Sequence, residues 1–382
     1  MKFLKILLLL ISLFALQDCG NDSEKVRRGK SPDSGKISFA ERFTLGKKDG
    51  LTQLTIINPW QGARNISQIY YLAPKGEKIP PGIDSSDVIR TPVKRVIAMS
   101  TTYLSMISAL GETDKIIGIS GLSLLYDEDL RDAVSSGKIA DVGYDDNLNI
   151  EMIIRLKPDL VMVYGVGGES SGIVGKLKDL GIKVLINADY LENNPLGKTE
   201  WIKVFGVLFS REKEADSLFT SIARQYDSVK TAVNTRSVRK PLVMLGLPWK
   251  DTWYISPGNS FMGRLISDAG GDYIWKETIS ETSLPYGLEN VWLKAMKAEY
   301  WLNISTVSTR EEILTVDGRL GDLPSFKSGN LYNNNNRVSK NGGIDYWESG
   351  TMNPHIILRD IAAILHPDLF PGYKYYYYRK VK

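Results

Sequence analysis

The sequence predicts an α/β fold of two Rossmann-like lobes with central, mostly parallel sheets, joined by a long connector helix and preceded by an N-terminal β extension. Three observations carry that prediction. First, in the stretch 199–234 the apolar residues Trp201, Val204, Phe205 and Leu208, then Ala215, Leu218, Phe219, Ile222, Tyr226 and Val229, recur at three- and four-residue steps. That is the period of a helix with one buried stripe. Second, short apolar strands alternate with helical segments on both sides of this stretch, the rhythm of parallel sheets covered by helices. Third, NIEMIIRLKPDLVMV on one side is echoed by GLENVWLKAMKAEYWLNI on the other, which points to two related lobes.

The 382 residues are enough for two cores, and a net charge of +4 without any long Lys/Arg run gives no reason to expect nucleic acid as a partner. Lys2 and Lys5 precede an apolar run from Ile6 to Leu16, and then comes Cys19, the only cysteine. Residues 1–18 read as a secretory leader, too short for a permanent span of about 20 residues. A lone cysteine after such a run resembles the lipobox of bacterial lipoproteins, with Leu16 at the expected place and Asp18 where a small residue is usual. Cys19 is therefore the expected lipidation site, and an incidental cysteine in an ordinary leader is the alternative. The polar segment 19–36 reads as a tether.

From Ile37 alternating stretches around Asp49-Gly50 predict a hairpin, and SQIYYLAP a further strand. Together residues 37–92 form the β extension. The first lobe, 93–198, opens on the buried strand in VKRVIAMS. Its following helix is capped by Ser100–Thr102 and ended by Gly111. DKIIGIS is a strand, Lys157-Pro158 breaks helix from strand, and GIVGKLKDLGIKVLIN supplies another pair. In the connector, 199–234, Pro195 and Gly197 are expected to stop any helix running in from upstream, and Ser210 to restart it after a bend. Its second segment should span roughly 35 Å. The second lobe, 235–382, repeats the theme and closes on the helix PHIILRDIAAILHP and the tail YKYYYYRK.

Enzyme signatures are scarce. The two histidines, His355 and His366, both lie in the last helix, where His366 before Pro367 suits a cap at the helix end. No Gly-x-Ser-x-Gly elbow, Walker A loop or His-Glu-x-x-His pair is present. The glycine cluster from Gly165 to Gly172 lacks both the dinucleotide spacing and a P-loop lysine. No cofactor and no dedicated zinc site are expected.

Aromatic residues in loops stand out instead, mostly after strands, where open α/β sheets bind ligands. These are Tyr103, Tyr144 and Tyr164 in the first lobe. In the second they are Trp249 and Trp253, with Tyr254, and Tyr346 and Trp347. Rings offer large flat area at low entropy cost, so two facing sets suit a bulky, flat, partly polar ligand between lobes. Taken singly, each ring fits a core position as well.

At these residues the chain resembles the helical-backbone class of ABC-transporter substrate-binding proteins, which serve iron-siderophores, haem and cobalamin. The resemblance runs from about Arg95 to Pro367 and is carried by KRVIAMSTTYLSMISALGETDKIIGIS, VGYDDNLNIEMIIRLKPDLVMVYG, GIKVLIN and YWESGTMNPHIILRDIAAILHP. It implies a cleft between lobes, a connector that limits hinge motion, no catalysis, a monomer, and delivery of the ligand to a permease and its ATPase. An acidic residue on each lobe would meet permease arginines, and the matching positions fall at Asp141 and Asp268. The ligand implied is an iron chelate (siderophore) or a corrinoid, with haem as an alternative. A surface ligand-capture lipoprotein shares this fold and differs only in which membrane holds the anchor. A lipid-anchored α/β hydrolase is the reading from another class.

Overall fold

The computed structural model describes residues 36–144, 147–165, 167–237 and 239–382, with the backbone alone for 167–171. Cys19, the leader and all but the last residue of the expected tether lie outside the described residues.

The β extension is a four-stranded sheet of β1 (Phe43–Lys48), β2 (Leu51–Ile57), β3 (Ser67–Pro74) and β4 (Val88–Thr91), in that order. β1, β2 and β3 are antiparallel, and β4 joins β3 in parallel. Asp49 and Gly50 both take positive φ, 50° and 84°, which gives a two-residue hairpin the twist its strands need. Alternate residues Leu54 and Ile56 turn inward with Phe43, Tyr70 and Leu72 and merge with the core of the first lobe. Tyr70 locks the sheet there, its hydroxyl accepting the Ile186 amide at 3.1 Å.

In the first lobe β5 (Val96–Ala98), β6 (Ile116–Ile119), β7 (Ala140–Asp141), β8 (Leu160–Val163) and β9 (Val184–Ile186) form an all-parallel sheet of order β7-β6-β5-β8-β9. Its helices are α1 (Thr101–Ala109), α2 (Glu128–Ser135), α3 (Ile150–Leu156) and α4 (Gly167–Asp179). Ser100 caps α1 through the Thr102 amide, and Lys157 ends α3 in the left-handed conformation.

The connector is three helices: α5 (Pro195–Glu200), α6 (Ile202–Phe209) and α7 (Glu212–Arg236). Two local expectations are corrected here. Pro195 begins a helix, because at the first helical position its missing N–H costs nothing and its φ is already helical, and Gly197 lies inside that helix instead of breaking it. Ser210 ends α6 at φ 58° instead of capping α7. Gly206 lets the two helices meet, since a Cβ there would lie 2.7 Å from the Ala215 methyl. At 1.5 Å per residue, the 25 residues of α7 run about 37 Å. Every residue of the expected stripe is buried except Leu218, which is half-buried.

The second lobe contains β10 (Leu242–Leu245), β11 (Thr252–Ile255), α8 (Phe261–Asp268), β12 (Asp272–Tyr273), β13 (Leu284–Gly287), α9 (Leu288–Ala295) and β14 (Tyr300–Leu302). It continues with α10 (Arg310–Val316), α11 (Pro324–Lys327), β15 (Leu331–Asn333), α12 (Pro354–Leu365) and β16 (Arg379–Lys380). Its sheet has the order β12-β10-β14-β15-β16, parallel except for the last strand, while β11 and β13 form a separate antiparallel ribbon. The echoing segments, α3–β8 and α9–β14, take equivalent places: each strand lies beside its lobe's first strand, β5 or β10.

Candidate functional site: a crevice between the lobes

Each of four first-lobe strands hands over at its carboxyl end to a tyrosine. Tyr103 follows β5, Tyr144 follows β7, Tyr164 follows β8 and Tyr190 follows β9. With the hydroxyls of Ser100, Thr102 and Ser120 and the carboxylate of Asp189 they line a cavity of about 210 Å³. Tyr144 is exposed, Tyr164 and Tyr190 are half-buried, and Tyr103 is fully buried, its hydroxyl donating to Asn187 O at 3.5 Å. Tyr190 donates to the Gly165 carbonyl, and Gly165 must be glycine: a Cβ would lie 2.9 Å from Pro59 O. The start of the glycine cluster is thus a packing site against the β extension.

Tyr190 also lines a second cavity, about 220 Å³, that runs on to the other lobe. Glu192 and Lys198 stand on one side of it; Ser256, Ser260, Phe261, Met262, Tyr346 and Trp347 stand on the other. Trp347 is the exposed ring of this wall (56 % exposed), whereas Tyr346 is buried and holds it edge-on at 4.8 Å. Behind Tyr346, Tyr377 and Tyr378 pack edge-on at 6.0 Å each. The aromatic tail therefore props the site from behind, a role its sequence did not suggest.

The electrostatics are sparse. Lys198 is the cation on these walls and sits 5.9 Å over the Phe261 ring. Glu192 is occupied: it accepts the backbone amides of Glu41 and Arg42 and the Trp201 indole N–H. Burial pushes both Glu192 and Asp189 above the ordinary carboxylate range.

Two expected ligand rings are not brought into the crevice. Trp253 is 1 % exposed, because alternate residues of β11 point inward; its indole donates to Leu245 O at 3.1 Å and packs against Trp301. Trp249 is exposed but lines neither cavity; Lys250 lies 4.5 Å over its ring. Tyr190, Asp189, Lys198 and Phe261 were missed by sequence reasoning. The strand-end rule that gave Tyr164 would have found the first two, which follow β9.

The histidines stand apart from the crevice. His366 is the C-cap of α12, its amide donating to Ala362 O, and its ring bonds Gly270 O and Ser237 Oγ in addition. His355 is buried, and burial with the Arg359 charge brings its pKa down to about 4. Among the described residues no group of three His, Cys, Asp or Glu side chains could hold a metal ion. Among them, too, no helix is long and apolar enough to cross a membrane.

A larger cavity, about 600 Å³, lies between α1, α2, α7 and the segment 337–353. Its rim is where the lobes bond: Glu348 accepts the Tyr126 amide at 2.8 Å and the Asp127 amide at 3.0 Å. It shares no lining residue with the two crevice cavities.

Residues 96–332 match the family model described as periplasmic binding protein. The chain belongs to the periplasmic binding protein family. Among curated relatives, it is similar to an uncharacterised lipoprotein of Methanocaldococcus jannaschii, 29 % identical over 85 % of this chain and 81 % of that one. Among solved structures it is similar to an ABC-type Fe3+-hydroxamate transport protein of Saccharomonospora viridis, with TM-score 0.53, 19 % identity, and coverage of 74 % of this chain and 94 % of that one. A periplasmic haem-binding protein of Pseudomonas aeruginosa gives TM-score 0.53 and 17 % identity, with 72 % and 93 % coverage. Likenesses this distant speak to the fold: two lobes bridged by a long helix. Family and neighbours are binding proteins.

A periplasmic binding protein of ABC transporters implies a permease as partner, and the two acidic positions expected to meet it differ in the structure. Asp141 is exposed and accepts the amide of Gly143 at 2.9 Å. Asp268 is committed inside the fold: Tyr226 donates to it at 2.8 Å and Lys230 pairs with it at 2.8 Å, leaving its side chain 13 % exposed. The two positions thus differ in how far their carboxylates are already engaged within the fold.

Proposed function

We propose that this protein is the substrate-binding lipoprotein of an ABC importer, anchored through acylated Cys19, that holds an iron chelate or a corrinoid between its lobes and passes it unchanged to the permease. The observation that carries the reading is the crevice sharing Tyr190, with tyrosines and hydroxyls on the first-lobe wall and Trp347 opposite. Among the described residues few charges line it, which suits a bulky metal complex of low net charge. Haem fits less well, since its two propionates would face a single lysine together with Asp189. Small-molecule sites usually measure about 300–1,000 Å³, so the two small cavities imply that the lobes part to admit such a ligand. The name of the archaeal relative supports the anchor.

The test is a tryptophan-fluorescence titration of the mature protein with cobalamin, ferric siderophores and haemin, followed by mass analysis of the released ligand. Strong quenching by a corrinoid or siderophore, with recovery of unaltered ligand, is expected. Absence of quenching by all of them, or recovery of a cleaved product, would overturn the reading. Cys19→Ser should move the protein from the membrane to the soluble fraction.

A further inference from the structure

The floor of the crevice holds a buried carboxylate with one oxygen unpaired among the described residues. Asp189 is 1 % exposed and lines the first-lobe cavity, yet its Oδ2 has no hydrogen-bond partner among the described residues. Its backbone is fixed, because its own amide donates to Asn187 Oδ1 at 2.9 Å and it opens the short turn Asp189–Leu191 after β9. The side chain is therefore held in place with one oxygen idle, surrounded by Tyr103, Tyr164 and Tyr190. Buried polar atoms are nearly always paired, and an orphan carries a standing cost. A carboxylate held in this way is pre-organised for a donor that arrives with the ligand. Burial raises the Asp189 pKa, with Lys198 and then the Thr102 hydroxyl opposing it.

We propose that Asp189 determines specificity by pairing Oδ2 with an N–H donor on the ligand's periphery, so that the crevice takes metal complexes bearing carboxamide or ammonium groups and rejects those bearing carboxylates. This deepens the reading above and rests on it. Cobalamin carries peripheral carboxamides and ferrioxamine B carries amides and an ammonium, whereas haem carries propionates. A site built to hydrogen-bond a donor discriminates strongly against a ligand lacking it, because the site's polar atom is left unpaired.

The experiment uses the mature protein and its Asp189→Leu and Asp189→Asn variants, titrated with cobalamin, ferrioxamine B and haemin, with melting of each unliganded protein in parallel. In the wild type, affinity for cobalamin or ferrioxamine B should exceed that for haemin. Asp189→Leu should weaken the donor-bearing ligand at least tenfold and narrow or reverse its preference over haemin, while the unliganded variant melts no lower than wild type. Asp189→Asn, which keeps an acceptor and the shape, should fall between. Equal affinities in wild type and both variants would overturn the role of Asp189 while leaving the importer reading intact. Tighter binding of haemin by the wild type would do the same. No binding of any of the three would remove the importer reading and this inference together.

Discussion

Trp347 and Trp253 separate the two fates of an aromatic residue in a loop-rich lobe. Trp347 sits on a short turn with its ring exposed and held edge-on by Tyr346, so Trp347→Ala should weaken ligand binding by about 1–3 kcal/mol with little change in melting. Trp253 fills the interior of the second lobe, and Trp253→Ala should cost about 3–5 kcal/mol of stability as read by denaturant unfolding. Equal effects of the two on binding would contradict this assignment. The acidic pair divides in the same way. Asp141→Arg should impair ligand transfer to permease vesicles without lowering stability. Asp268→Ala, by stripping the buried Tyr226 hydroxyl of its acceptor, should cost about 1–3 kcal/mol. At this scale the sequence was legible where a ring directly follows a parallel strand, as Tyr164 does. It was not legible at Trp253, since inward or outward facing in the β11–β13 ribbon is set by pairing register.

Elements were easier to read than residues, because periodicity reports burial directly. The Asp49-Gly50 hairpin, the Ser100 cap and the break at Lys157 follow from backbone chemistry confined to a few neighbours. The end of the chain could not be read in that way: four of its five tyrosines are bonded by Asp360, which precedes the nearest of them by 13 residues. That carboxylate is fully buried and accepts the Tyr373 hydroxyl at 2.8 Å and the amides of Tyr376, Tyr377 and Tyr378 at 3.0, 2.6 and 3.0 Å. It fixes the tail so that β16 can join β15 and Tyr377 and Tyr378 can support Tyr346. Asp360→Ala leaves those donors without an acceptor, at about 1–3 kcal/mol for each one that stays buried. Hydrogen exchange should then show the tail from Tyr373 onward losing protection before the sheet does, together with weaker ligand binding through Trp347. The start of the described chain is held by the same device, Glu200 accepting the amides of Ser38, Phe39 and Ala40.

For the molecule as a whole, the question is what holds the lobes together when the crevice is empty, and Glu348 is the group most exposed to solution conditions. It lies in the second lobe, is buried, and reaches across to two first-lobe amides. Burial lifts its pKa from 4.5 to about 7, against the lowering effect of those two amides and with Asp127 and Asp345 adding to the rise. Arg337 faces the same region but is engaged by Asp345 at 2.6 Å. Between about pH 4.5 and 7 the folded protein therefore holds a proton here that the unfolded chain has released. The associated stabilisation is fully present below the unfolded value and is lost as pH rises through the folded one. Glu348→Gln removes the titration and presents an amide N–H to one of the two backbone donors. The melting temperature of wild type minus that of Glu348→Gln should thus fall as pH is raised from 5 to 8, and small-angle scattering of the unliganded wild type should show the lobes separating over the same range. A melting difference that stays constant with pH would show that Glu348 does not report on the lobe contact. Because α7 spans both lobes and is unaffected by this titration, the motion it permits should be a limited hinge rather than a wide opening.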